Sequence, residues 1–119
     1  RASDAFGQVG TDKLMRLRMS IQIGNYHAEG PFGNVSGLLA RSGVYVILGR
    51  LSAASPWCVV DIGESGDVLD RVSCHDRAPD WRRQGHAELA VAAIYADERN
   101  RMLIERQLRV LFNPPCGSF

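Results

Sequence analysis

The 119-residue chain is one domain's worth of polypeptide, with 45% hydrophobic and 23% charged residues, ordinary proportions for a globular core. Its 14 Lys and Arg against 13 Asp and Glu give a net charge of only +1, so any nucleic-acid-binding surface must be local rather than global. No apolar run approaches the ~18 residues that span a bilayer, and Arg1-Ala2-Ser3-Asp4 lacks the charged-then-apolar pattern of a signal peptide, so no membrane partner is expected.

The chain lacks an initiating Met and reads as a fragment or a trimmed form of a longer protein. Its three cysteines, Cys58, Cys74 and Cys116, are odd in number and form no Cys-x-x-Cys pair. That argues against a disulfide framework and fits a reducing, cytoplasmic compartment. Cys74 and His75 with Cys116 make a poor zinc set, because adjacent residues rarely share one tetrahedral ion.

In chain order, residues 1–13 read as a loose start. Across 15–23, Met15, Leu17, Met19, Ile21 and Ile23 alternate with Arg16, Arg18, Ser20 and Gln22, the period of two of a half-buried strand. Arg16 and Arg18 would then face outward. Residues 24–37, punctuated by Gly and Pro, read as a loop. The run Val44-Tyr45-Val46-Ile47-Leu48 suits a central strand covered on both faces, and residues 57–62 pair with it as a hairpin. Ser65 or Asp67 caps a short helix with Val68, Leu69 and Val72 inward. Residues 77–86, with Arg77, Arg82, Arg83 and His86, read as a polar loop, and 89–95 as a further strand. Asp97 caps a last helix whose Ile104, Leu108 and Leu111 share one face, and Pro114-Pro115 ends it. The expected class is α/β (α+β), with a small mixed or antiparallel sheet flanked by helices: residues 1–42 an extension with one extra strand, and 43–119 the main domain.

Several chemistry-bearing residues fall in order along this frame. Gly43-Val44-Tyr45 opens the central strand, Asp61-Ile62-Gly63 ends its partner, Arg71 lies on the first helix and Glu105 on the last. This ordered set resembles the motif string of the GIY-YIG nuclease family over roughly residues 43–117. The resemblance implies a nucleic-acid endonuclease, most naturally acting on DNA, with a single Mg²⁺ or Mn²⁺. On it, Tyr45 activates water, Arg71 clamps the scissile phosphate and Glu105 holds the metal. A free phenol titrates near ~10, so Tyr45 needs cationic neighbours to act as a base at neutral pH. Guanidinium is permanently charged and its donors match phosphate oxygens, and one or two carboxylates suffice for Mg²⁺.

Two positions depart from the family. Asp61 stands where it usually has a second tyrosine, and Gly117 where it usually has an asparagine. Asp61 either joins Glu105 and Glu64 at the metal or pairs with Arg71; an unpaired aspartate among Val59, Val60 and Ile62 would be costly. Arg16, Arg18, His75, Arg77, Arg82 and Arg83 are the candidate nucleic-acid contacts. The rival expectation is a catalytically altered module of the same fold that binds nucleic acid or a protein partner, with the 15–23 strand offering an edge for a homodimer.

Overall fold

The order of elements is β1 (Ser20–Ile23), β2 (Tyr26–Phe32), a 3-10 turn (Val35–Gly37), β3 (Gly43–Arg50), β4 (Cys58–Ser65), α1 (Val68–Ser73), α2 (Ala78–Arg83), β5 (Glu88–Tyr95) and α3 (Glu98–Phe112). The structure is a computed structural model that describes residues 19–117. It is a mixed α+β fold whose five strands form one antiparallel sheet in the order β1-β2-β5-β3-β4. No helix among the described residues is long and apolar enough to cross a membrane.

The sheet carries a core on each face. On one side Tyr45, Ile47, Val60 and Val91 meet Val68, Val72 and Trp81 from α1 and α2. On the other, Val44, Val46, Ile62 and Ala92 meet Ile104 and Leu108 of α3. β3 is buried from Gly43 to Gly49 because it is the inner strand between β4 and β5 and is covered on both faces. Full burial of each large aliphatic or aromatic side chain contributes ~1.5–3 kcal/mol, so this strand is the mechanical centre of the domain.

Residues 24–37 are not the expected loop. Ile23 and Tyr26 pair across a two-residue Gly24-Asn25 turn with Gly24 at φ +57°, and β2 then pairs with β5. A Gly-Asn pair between two strand-like runs is a hairpin signal; Gly30-Pro31 masked it, and the proline sits where the β2–β5 register shifts. The 19–42 segment is therefore an integral part of the sheet and supplies two strands rather than one. Ile23 is buried and Ile21 half-buried between exposed Ser20 and Gln22, as the alternation requires. Met15, Arg16, Leu17 and Arg18 lie outside the described residues.

The polar loop expected at 77–86 contains α2. Pro79 lies in its first turn, where the missing N–H breaks no ladder, and Trp81 anchors it in the core at 7% exposure. Asp67 and Asp97 cap α1 and α3 by accepting the Asp70 and Asn100 backbone N–H groups at 3.0 and 2.9 Å. α3 stops at Asn113, whose left-handed backbone (φ 45°) returns its N–H to Arg109 O. Leu111 is 63% exposed rather than inward, and lies beside Gly24 of the β1–β2 turn.

Candidate active site

β4 is an edge strand, and the candidate residues gather along it. Cross-strand partners share a face, so the pairs Tyr45↔Gly63 and Ile47↔Asp61 put Tyr45 and Asp61 on the α1/α2 side. Gly63 has no Cβ, and the Tyr45 phenol occupies that space. α1 brings Arg71, and the turn after it brings His75 and Arg77.

Tyr45 Oη lies 2.6 Å from His75 Nε2. The other ring nitrogen, Nδ1, accepts the Arg77 backbone N–H at 3.0 Å. A backbone nitrogen can only donate, so the ring proton is on Nε2 and is donated to Tyr45. His75, named from sequence as a nucleic-acid contact, is buried at 6% exposure, its ring tilted against Trp81 with centroids 4.7 Å apart. Burial, reinforced by the Arg71 and Arg77 charges, lowers its pKa to about 4, so it is neutral at physiological pH. Burial also raises the Tyr45 pKa, and the nearby Arg71 and Arg77 guanidiniums only partly offset this. The cations that the chemistry calls for are present, yet the resting group is a phenol.

Asp61 has no exposed surface and is fully occupied. Its Oδ2 accepts Arg77 Nε at 2.8 Å and Trp81 Nε1 at 2.7 Å. Its Oδ1 accepts Arg109 Nη2 at 2.8 Å, its neighbour Ile62 N at 2.8 Å and Arg77 Nη2 at 3.3 Å. Five donors fill the roughly four lone-pair positions of a carboxylate. Asp61 is thus paired with Arg77 and Arg109 rather than Arg71, and no lone pair is left for a metal.

Arg109 starts from α3, on the opposite face, and reaches Asp61 around the β4 edge. On the way its guanidinium donates to the Ile62 and Cys116 carbonyl oxygens, while Cys116 N donates to Val60 O at 3.1 Å. The C-terminal segment thus seals the edge of β4. This packing explains Gly117: with φ +76°, a Cβ there would lie 2.5 Å from Arg109 Nη2 and 2.8 Å from Asp61 Oδ1. The two departures from the resemblance are one arrangement, in which the buried ion cluster around Asp61 fills the space an asparagine side chain would need.

On the α3 face, Glu105 is partly exposed and lies 3.4 Å from Arg109 Nε. Burial raises its pKa against the pull of Arg109. Glu64 is held by Arg101 at 2.6 Å. No cluster of three His, Cys, Asp or Glu side chains among the described residues is arranged to hold a metal; of the candidate ligands Asp61 is buried, while Glu64 and Glu105 are partly exposed. Arg71 pairs with Asp76 at 3.0 Å on an open surface. Arg82 and Arg83 are exposed, and Arg83 is paired with Asp80; Arg16 and Arg18 lie outside the described residues.

The contacts form one chain: Tyr45–His75–Arg77–Asp61–Arg109–Glu105. The sequence reading named five of these six in site roles, all but Arg109. It gave no role to Trp81. A buried aspartate demands donors, and Arg109, one residue past the core Leu108, was the available hint. No protein-family model, curated protein or solved structure matches this chain.

Proposed function

We propose that this domain is a GIY-YIG-like endonuclease that hydrolyses a phosphodiester bond of nucleic acid, DNA in the first instance, with one Mg²⁺ or Mn²⁺. The observation that supports it is the continuous chain of contacts from Tyr45 to Glu105 along a sheet edge, with Arg71 beside Tyr45 and only loosely tethered. A surface ion pair such as Arg71–Asp76 is worth only ~0–1 kcal/mol, so a phosphate displaces Asp76 at little cost.

Glu105 would hold the ion, which supplies charge stabilisation to the phosphate oxygens. His75 Nε2–H donates to Tyr45 Oη and holds the phenol in place, so that the Tyr45 hydroxyl proton points to a further acceptor. Tyr45 orients the attacking water and takes its proton when ionised; the water oxygen bonds to phosphorus as the leaving P–O bond breaks. Arg71 offsets the charge gathering on the phosphate. Because the resting Tyr45 is a phenol, the rate rises with pH through the neutral range.

The test is cleavage of labelled single-stranded, duplex and branched DNA, and of RNA, with each metal in turn. Glu105→Gln should abolish metal-dependent cleavage, and Arg71→Ala should slow it by ~10²–10³-fold, the usual cost of one preorganised transition-state donor. A wild-type protein inert on every substrate with both metals would move the reading to the binding module.

A further inference from the structure

From the centre of the contact chain, we infer that Arg77 grips the scissile phosphate as a second cation, with Asp61 as its positioning residue. This rests on the nuclease reading and assigns Arg77 a contact with the reacting group, not a general grip on the backbone.

Three observations carry it. Arg77 sits between the two halves of the site: its backbone N–H holds His75, which holds Tyr45, and its guanidinium shares Asp61 with Arg109, which holds Glu105. A phosphate attacked by water at Tyr45 and bound to an ion at Glu105 has to lie between those halves. Second, Asp61 takes only one edge of the Arg77 guanidinium, through Nε and Nη2. Among the described residues Nη1 donates to no acceptor, and the side chain is 27% exposed, so part of the donor fork is open to a phosphate. Third, the two guanidiniums that share Asp61 differ: Arg109 is 4% exposed and also pairs with Glu105, whereas Arg77 is 27% exposed and pairs with Asp61.

The arrangement also gives Asp61 a purpose at a tyrosine's position. An aspartate cannot present a hydroxyl there, but it can fix an arginine. The Arg77 charge is felt at Tyr45, His75 and Glu105 alike, as its central position requires. Arg71, by contrast, is felt at Tyr45 and His75 and is paired to the exposed Asp76.

The experiment compares wild type, Arg77→Met and Arg77→Lys on an oligonucleotide with Mg²⁺ or Mn²⁺, with thermal melts alongside. A transition-state contact predicts that Arg77→Met lowers kcat by ~10²-fold or more while KM changes less than threefold, and that Arg77→Lys lies between. Asp61→Asn should lower kcat in the same direction but less. A folded Arg77→Met with wild-type kcat, or one that changes only KM and the salt dependence, overturns this inference and leaves the nuclease reading standing. If Arg77→Met does not fold, Arg77→Lys decides on the same criterion. A wild type that binds the oligonucleotide without cutting it, with Arg77→Met binding equally well, also overturns the inference. A wild type that neither binds nor cuts any of the substrates overturns both.

Discussion

On the α1/α2 side of β4, charge is held dry: Asp61 is wholly buried, two arginines and a tryptophan fill its lone pairs, and His75 beside it is neutral. On the α3 side, Glu105 and Glu64 remain partly open, each with one arginine. The first region is built to stay as it is, because removing any partner strands a buried charge. The second is more open, because its carboxylates are partly exposed. On the proposed function, rigid cations would come from the first and an exchangeable ion from the second, and Arg109 ties the two together.

The largest expected effect comes from breaking the dry side. Asp61→Ala leaves Arg109, 4% exposed, and Arg77 without their shared anion. Losing one partner of a buried pair typically costs ~3–5 kcal/mol, so denaturant or thermal melts should show a loss of that order. Asp61→Tyr should also destabilise, since a phenol ring has no room beside Trp81 and Arg77 and supplies no charge. If either variant melts like wild type, the cluster is not the anchor described here.

A smaller loss should follow from Gly117→Asn. Asparagine tolerates a left-handed backbone better than most residues, but its Cβ would press on Arg109 and Asp61. Overpacking of this kind costs ~1–3 kcal/mol. Because the same cluster is responsible for both effects, Asp61→Ala and Gly117→Asn should be non-additive, the second costing less once the first is made. Strict additivity in a double-mutant cycle would mean that the two positions are unrelated.

The sheet's central hairpin, β5 and α3 were legible because their patterns are local: a β-branched run, alternation, and apolar spacing behind a capping aspartate. β2 and α2 were hidden by prolines that the fold places where they do no harm, Pro31 at a register shift and Pro79 in a helix's first turn. At the site, Tyr45, Arg71 and Glu105 were named from the resemblance to the nuclease family's motif order. The partners of Asp61 were not, since Arg77, Trp81 and Arg109 lie 16, 20 and 48 residues away and meet it only through the packing of α2 and α3 against β4. The burial of His75 was equally invisible, because it depends on α2, which the polar composition concealed.

The pH dependence of folding should report the dry side in a milder way. His75 is neutral in the folded state, with a pKa lowered from 6.5 to about 4. Between those values the unfolded chain binds the proton and the folded one does not, so unfolding is favoured as pH falls. Stability measured by denaturant midpoint should therefore be level above pH ~6.5 and decline toward about 4. His75→Gln, uncharged throughout, should flatten that part of the curve. An unchanged slope would place the proton-sensitive group elsewhere.

The smallest effect is expected at Glu105, and its sign separates a functional carboxylate from a structural one. Burial raises its pKa above 4.5, so the folded state holds this proton more tightly than the unfolded chain does. The stabilisation from the protonated form is present below 4.5 and is lost as pH rises through the folded value. At neutral pH the ionised side chain is a slight burden that Arg109, at 3.4 Å, does not fully relieve. Glu105→Gln should thus melt at or slightly above the wild-type temperature when no divalent ion is present. Adding millimolar Mg²⁺ or Mn²⁺ should raise the wild-type melting temperature, because a ligand that binds only the folded state stabilises it by mass action, and should leave Glu105→Gln unmoved. If instead Glu105→Gln is destabilised without metal, the residue is chiefly a helix partner of Arg109. If both proteins respond equally to the ions, the metal binds elsewhere, and the contrast between a fixed and an exchangeable side of β4 fails at its wet end.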